Sequence, residues 1–171
     1  MKKLLALVLA LVMTLSMGSV LAEDLPIETI EQLYDGAWVQ FEDGFEIYLP
    51  ADWVEFETTP EMNAGGIFYL CGTEDAEYTC AMTWSPLEAE CTVEEAHQEL
   101  AAAYPGAELV EVNGIALIVF GDAENDQLTF AALDATEPGV YLFIFTPMSD
   151  ENFRVLASAI AASLRITETA L

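Results

Sequence analysis

The chain has 171 residues, 30 acidic against four basic, with a formal net charge of −26, 54% hydrophobic residues and three cysteines. So acidic a chain lacks the clustered Lys and Arg that hold nucleic acid or anionic lipid, and its field favours solubility and cationic partners. Its apolar content is too high for disorder, so the acids must decorate a folded surface.

Residues 1–22 have the form of an export signal: Lys2 and Lys3 at the start, an apolar run from Leu4 to Val12, and Val20-Leu21-Ala22 as a small-residue cleavage pattern. The expectation is Sec-type export to a secreted or extracytoplasmic location, with no membrane association after cleavage. The alternative is an uncleaved anchor, because Leu4 to Ala22 carries no charge. Both lysines lie in that segment, so the rest of the chain sets 30 acids against Arg154 and Arg165 alone. Residues 23–35 read as an N-terminal helical extension, with a short helix over Pro26–Tyr34. Residues 36–171 read as one domain, long enough to bury a core without staples.

Ala37–Phe41 and Phe45–Leu49 read as a hairpin turning through Glu42-Asp43-Gly44, with Phe45, Ile47 and Leu49 on one face. Pro50 ends the second strand, and Trp53 is placed to fold back over that end of the core. Ile67–Gly72 and Tyr78–Trp84 form a second hairpin around Thr73–Glu77. Thr92-Val93-Glu94-Glu95 is a capping box, opening a helix whose apolar stripe is Val93, Ala96, Leu100, Ala103 and Tyr104 and which Pro105-Gly106 ends. Glu108–Val112 and Ile115–Phe120 flank Asn113-Gly114, the strongest hairpin signal in the chain. Gln127–Leu133 and Val140–Thr146 are further strands, and Ser149 or Asp150 caps a last helix running to about Leu164.

"IALIVF" and "YLFIFT" are almost unbroken apolar runs, so both faces of the sheet must be covered there. The predicted fold class is α+β: an antiparallel sheet covered by helices on both faces, an α/β/α sandwich.

Three stretches, "GFEIYLPADW", the helix leading into the "VNG" hairpin, and the ending "YLFIFTPMSDENFRVLASAIAASL", resemble the PsbP-like superfamily. That superfamily includes the photosystem II extrinsic protein and small exported bacterial relatives. The resemblance spans most of residues 36–165 and rests on short motifs. It implies a compact sandwich that serves as an accessory or binding module, and it brings no catalytic motif, so no site residue is inherited. The chain departs from the family's better-known partner surfaces in having almost no basic residues.

The residues that carry chemistry are few. Beyond residue 22 the chain has no lysine, which excludes Schiff-base chemistry and a P-loop, and His97 is its only histidine. Cys91, just before the helix that Thr92 caps, is the one candidate nucleophile, yet His97 lies about 8 Å further along the axis by helix rise. Cys71 and Cys80 face each other if their hairpin turns about Asp75 and Ala76, so they are either a disulfide, which would fit a non-hydrogen-bonded pair, or two buried thiols. Asp122, Glu124 and Asp126 alternate as in the start of a calcium loop, but Gln127 and Leu133 stand where its glycine and bidentate glutamate belong. Arg154 and Arg165 fall on roughly one face of the last helix, as a carboxylate clamp or as partners of nearby acids and the helix end. Trp38, Trp53, Trp84, Tyr69 and Tyr78 are core and edge cover, or together the lining of a groove.

The function expected from these residues is a non-enzymatic exported accessory or binding module, monomeric, meeting an unknown protein or small ligand and no nucleic acid. No cofactor is implied, calcium at Asp122, Glu124 and Asp126 being the single candidate. The alternatives are a divalent-cation-responsive acidic module and a Cys91-dependent thiol enzyme.

Overall fold

A computed structural model of the chain describes residues 30–42 and 44–167. The expected export signal, its cleavage site, Asp43 and most of the helix expected over Pro26–Tyr34 lie outside the described residues. Within the expected N-terminal extension, Ile30 is buried and opens a turn in which Leu33 N donates to Ile30 O at 2.9 Å.

Among the described residues, ten strands and three helices follow in the order β1 (Gly36–Gln40), β2 (Phe45–Pro50), β3 (Val54–Glu55), α1 (Pro60–Ala64), β4 (Ile67–Gly72), β5 (Thr79–Pro86), α2 (Val93–Ala103), β6 (Glu108–Val112), β7 (Ile115–Asp122), β8 (Gln127–Leu133), β9 (Gly139–Thr146), α3 (Glu151–Ala162) and β10 (Arg165–Ile166). They build a seven-stranded sheet, ordered β3-β4-β5-β9-β8-β7-β6, and a three-stranded sheet, β1-β2-β10. Every pairing is antiparallel.

The apolar runs of β7 and β9 are explained by cover on both faces of the large sheet. On one face Leu117, Val119, Phe130, Phe143, Phe145 and Met82 pack with Phe153, Ala157 and Ile160 of α3 and with Phe45, Ile47 and Leu49 of β2. On the other, Ile118, Phe120 and Ala131 pack under Val93, Ala96 and Leu100 of α2 and its C-cap Tyr104. Alternation along each strand divides the two sets. Helices therefore cover both faces, as expected, but the sandwich is not purely α/β/α, because the first hairpin leaves the main sheet and shares the α3 side as a sheet of its own. Its β2 strand is covered twice: the Phe45–Ile47–Leu49 face meets the core, while Tyr48 is enclosed by the rings of Tyr34 and Trp38, each 5.3 Å away.

Local chemistry fixes the ends of the elements. Thr92 and Glu95 make both halves of the capping box on α2. Asn113 and Gly114 take φ of 50° and 77°, the left-handed pair that a two-residue hairpin turn demands. That turn also docks: Asn113 Nδ2 donates to Ala162 O and Leu164 O, at 3.1 and 2.9 Å, satisfying carbonyls that the end of α3 leaves open. The last helix stops at Ala162 rather than Leu164 because the chain enters β10 there. Ser163 Oγ accepts from Tyr48 N at 2.8 Å and donates to Ile160 O at 2.6 Å. Since Arg165 pairs with Glu46, Ser163 stands opposite Tyr48, and its hydroxyl supplies the acceptor that a further ladder residue would have given.

Candidate functional site

Between the two sheets lies an apolar cleft holding about 110 Å³, lined chiefly by Phe45, Ala132, Tyr141, Phe143, Leu164 and Ile166. Its walls follow from topology. β2 and β10 supply Phe45 and Ile166, the central strands β8 and β9 supply Ala132, Tyr141 and Phe143, and small Ala132 opens the space between larger neighbours. Ile166 is 65% exposed, the most exposed of the large hydrophobic residues described. β10 is pinned beneath it: the Arg165 guanidinium donates to Glu46 Oε1 and lies 3.7 Å above the Trp38 ring.

Asp134 stands at the rim, in the loop between β8 and β9. Its carboxylate accepts from Thr136 N and Oγ1, at 2.8 and 2.7 Å, and from Trp84 Nε1 at 3.0 Å. Partial burial pushes its pKa up, but these hydrogen bonds outweigh that and hold it below the ordinary 3.8. The carboxylate's stabilising contribution is therefore complete above pH 3.8 and is lost as the pH falls through the depressed value. Trp84 reaches Asp134 by lying flat on Gly139, where a Cβ would sit 2.6–2.7 Å from the indole.

The structure disperses the residues that the sequence offered as chemistry. Asp122 turns inward on its own loop, accepting from Asn125 Nδ2 at 2.7 Å and from Glu124 N at 3.0 Å. Asp126, with φ of 56°, reaches across to accept from Ser149 N and Oγ at 2.6 and 2.7 Å, tying this hairpin to the approach of α3. Of the expected calcium ligands Asp122, Glu124 and Asp126, the outer two carboxylates serve different loops, and among the described residues no group of three metal-ligating side chains converges. Millimolar calcium is expected to raise the melting temperature no more than sodium chloride of equal ionic strength, both acting by screening a self-repelling surface. Thermal scans in matched salts check this, and an increment specific to calcium would contradict it.

Cys91 is half-buried in a separate acidic hollow with Glu90, Asp134 and Glu137. His97 does not approach it, because Nε2 lies 3.0 Å from Ala107 O and fastens α2 to the start of β6. The thiol-enzyme reading thus loses its base to a structural bond. Cys71 and Cys80 do come together, as register partners on β4 and β5, both buried and both as free thiols. Arg165 is on β10 and not on the last helix, so it forms no clamp with Arg154. The five aromatic residues do not converge on one groove: Trp38 is tilted against Tyr48, Tyr69 meets Phe41 edge-on, Trp53 and Tyr78 both pack on Phe153, and Trp84 lies on Gly139.

No protein-family model and no curated protein matches the chain. Among solved structures it is similar to the solution structure of cyanobacterial PsbP (CyanoP) from Synechocystis sp. PCC 6803. Identity is 13%, with a TM-score of 0.51, over 88% of this chain and 99% of that one. A Bacteroides thetaiotaomicron protein also matches at 15% identity and a TM-score of 0.47, over 75% of this chain and 47% of that one. No described helix is long and apolar enough to cross a membrane. At such identity the likeness to the cyanobacterial protein is one of architecture, and on it the chain has the PsbP-like fold.

Proposed function

We propose that the protein is a non-catalytic accessory or binding module, acting after export, which receives an apolar side chain of a cationic protein segment in the cleft between its two sheets. The observation that carries this reading is the apolar cleft with Ile166 65% exposed beside it, on a chain with 30 acids and four basic residues. The cleft holds about 110 Å³, well below the roughly 300–1,000 Å³ of ordinary small-molecule sites, which favours one side chain over a cofactor. The acidic field attracts a basic partner and orients it, while the cleft supplies the short-range discrimination. The PsbP-like fold agrees with an accessory role, and the engagement of His97 with Ala107 argues against thiol catalysis.

Isothermal titration with two short peptides tests this: an oligolysine, and the same oligolysine carrying one phenylalanine. Burying one apolar side chain is worth about 1.5–3 kcal/mol, so the phenylalanine peptide is expected to bind about tenfold or more tightly. Ile166→Asp is expected to abolish that advantage while leaving oligolysine binding no weaker. Equal affinities of the two peptides for the unaltered protein would contradict the proposal.

A further inference from the structure

The core of the large sheet contains a pair of groups that the cleft does not use. Cys71 and Cys80 are directly opposite on β4 and β5 and are 1% and 0% exposed. Alternation fixes the kind of pair. Thr73 N donates to Tyr78 O at 2.9 Å, so Gly72 and Thr79 form a non-hydrogen-bonded pair and Cys71 and Cys80 the next hydrogen-bonded one. Such pairs hold their Cα atoms about 5.5 Å apart, inside the roughly 4.4–6.8 Å that a disulfide spans, but their Cβ atoms stand at the wide end of cross-strand spacing, so closing the bridge must draw the two strands together at this pair. Both side chains point into the same core layer, with Met82 and Phe145. Each thiol has the other as its neighbour, and burial together with Cys71 raises the Cys80 pKa.

We propose that Cys71 and Cys80 are joined by a cross-strand disulfide that is made while the chain folds and is then sealed in the core. The reason for the order is access. In the finished structure neither sulfur is open to an oxidant, whereas the hairpin that pairs them is local in sequence and exposes both strands until the rest of the sheet joins it. Its turn is held by Thr73 Oγ1 donating to Asp75 Oδ1 at 2.7 Å and by Glu77 N donating to the same oxygen at 3.1 Å. A loop this short closes early and at low entropic cost, before β9 and α3 cover the strands.

The oxidant is a disulfide, either a small molecule or an exchange protein of an oxidising compartment. One cysteine thiolate attacks it, breaking its S–S bond, forming a mixed disulfide and releasing one thiol. The other cysteine, also as thiolate, then attacks the mixed disulfide at the first cysteine's sulfur and releases the second thiol. Two thiols have lost two protons and two electrons, and the oxidant has gained them. Cys91, half-exposed and distant from the pair in the fold, remains the free thiol of the three.

The test compares two routes to oxidation with the unaltered protein. Reduced, denatured chain is refolded in mixed oxidised and reduced glutathione, then denatured without reductant, alkylated and weighed, with peptide mapping. One alkyl group, on Cys91, and a cross-linked peptide containing Cys71 and Cys80 are expected. In parallel, the folded, reduced protein is given the same oxidant and treated identically, and both Cys71 and Cys80 are expected to be alkylated. Alkylation or glutathionylation of Cys71 and Cys80 after oxidative refolding would overturn the bridge, and rapid bridging in the folded protein would overturn the stated order. Should refolding in glutathione yield no soluble protein, chain secreted through an oxidising compartment and alkylated after denaturation gives the same two readings of the bridge.

Discussion

Phe145→Ala is expected to lower the unfolding free energy by about 3–5 kcal/mol, a large part of a domain's margin. Phe145 is fully buried on β9, opposite Cys80 on β5 and Leu128 on β8. Its ring meets Phe130 edge-on at 5.7 Å and Phe153 of α3 at 6.3 Å, so it joins the large sheet to the helix above it. Truncation removes apolar area and leaves a void whose walls belong to the centre of the sheet, where collapse is hardest. Urea unfolding followed by circular dichroism measures the change. Leu109→Ala, at a site 41% exposed on the edge strand β6, provides the contrast and is expected to stay within about 0.5 kcal/mol. Equal losses at the two sites would show that the core is not where the packing places it.

Ser163→Ala removes one oxygen and is expected to cost about 1–3 kcal/mol, more than its size suggests. The serine is fully buried where α3 turns into β10, and its hydroxyl is the acceptor for Tyr48 N. Alanine leaves that amide enclosed without an acceptor, while the Ile160 carbonyl loses the hydroxyl and keeps the backbone N–H of residue 163. The small sheet should loosen selectively, because β10 is held to β2 by two residue pairs, with this bond, Thr167 N donating to Gly44 O at 2.8 Å and the Arg165–Glu46 ion pair beside them. Hydrogen exchange is expected to accelerate at Tyr48 and along β2 well before the large sheet responds. Unchanged protection at Tyr48 would show that the serine is dispensable to the small sheet.

What the sequence disclosed of the fold is what short-range chemistry controls. Ile67–Gly72, Glu108–Val112 and Gln127–Leu133 are strands over the residues that alternation and turn signals marked, and the α2 capping box forms as written. Cover on both faces was legible in the unbroken apolarity of β7 and β9. The second sheet was not, because nothing local distinguishes a hairpin that joins the main sheet from one that folds across it. Its third strand, Arg165–Ile166, is two residues long and sits where the periodicity of the last helix runs on towards Leu164. The short helix α1 has only half a signal: Thr59 as N-cap followed by Pro60 is a helix start, but five residues are too few for an apolar stripe.

Of the candidate sites, the Cys71–Cys80 register followed from turn symmetry, since pairing in a tight hairpin is local arithmetic. The acidic loop is ambiguous in sequence because alternating carboxylates look alike whether they face a cation or a backbone amide. Only the long-range partner, Ser149, assigned Asp126 its work. The cleft left no mark at all: Phe45, Ala132, Tyr141 and Ile166 are ordinary strand residues until two sheets bring them together.

Amide chemical-shift mapping during titration with the phenylalanine-bearing oligolysine addresses most directly whether binding is seated between the sheets. The shifts that differ from those given by plain oligolysine are predicted to cluster at Gly44, Phe45, Ala132, Tyr141 and Ile166 and to vanish in Ile166→Asp. Differences scattered over the acidic surface, with those five amides unmoved, would contradict the account.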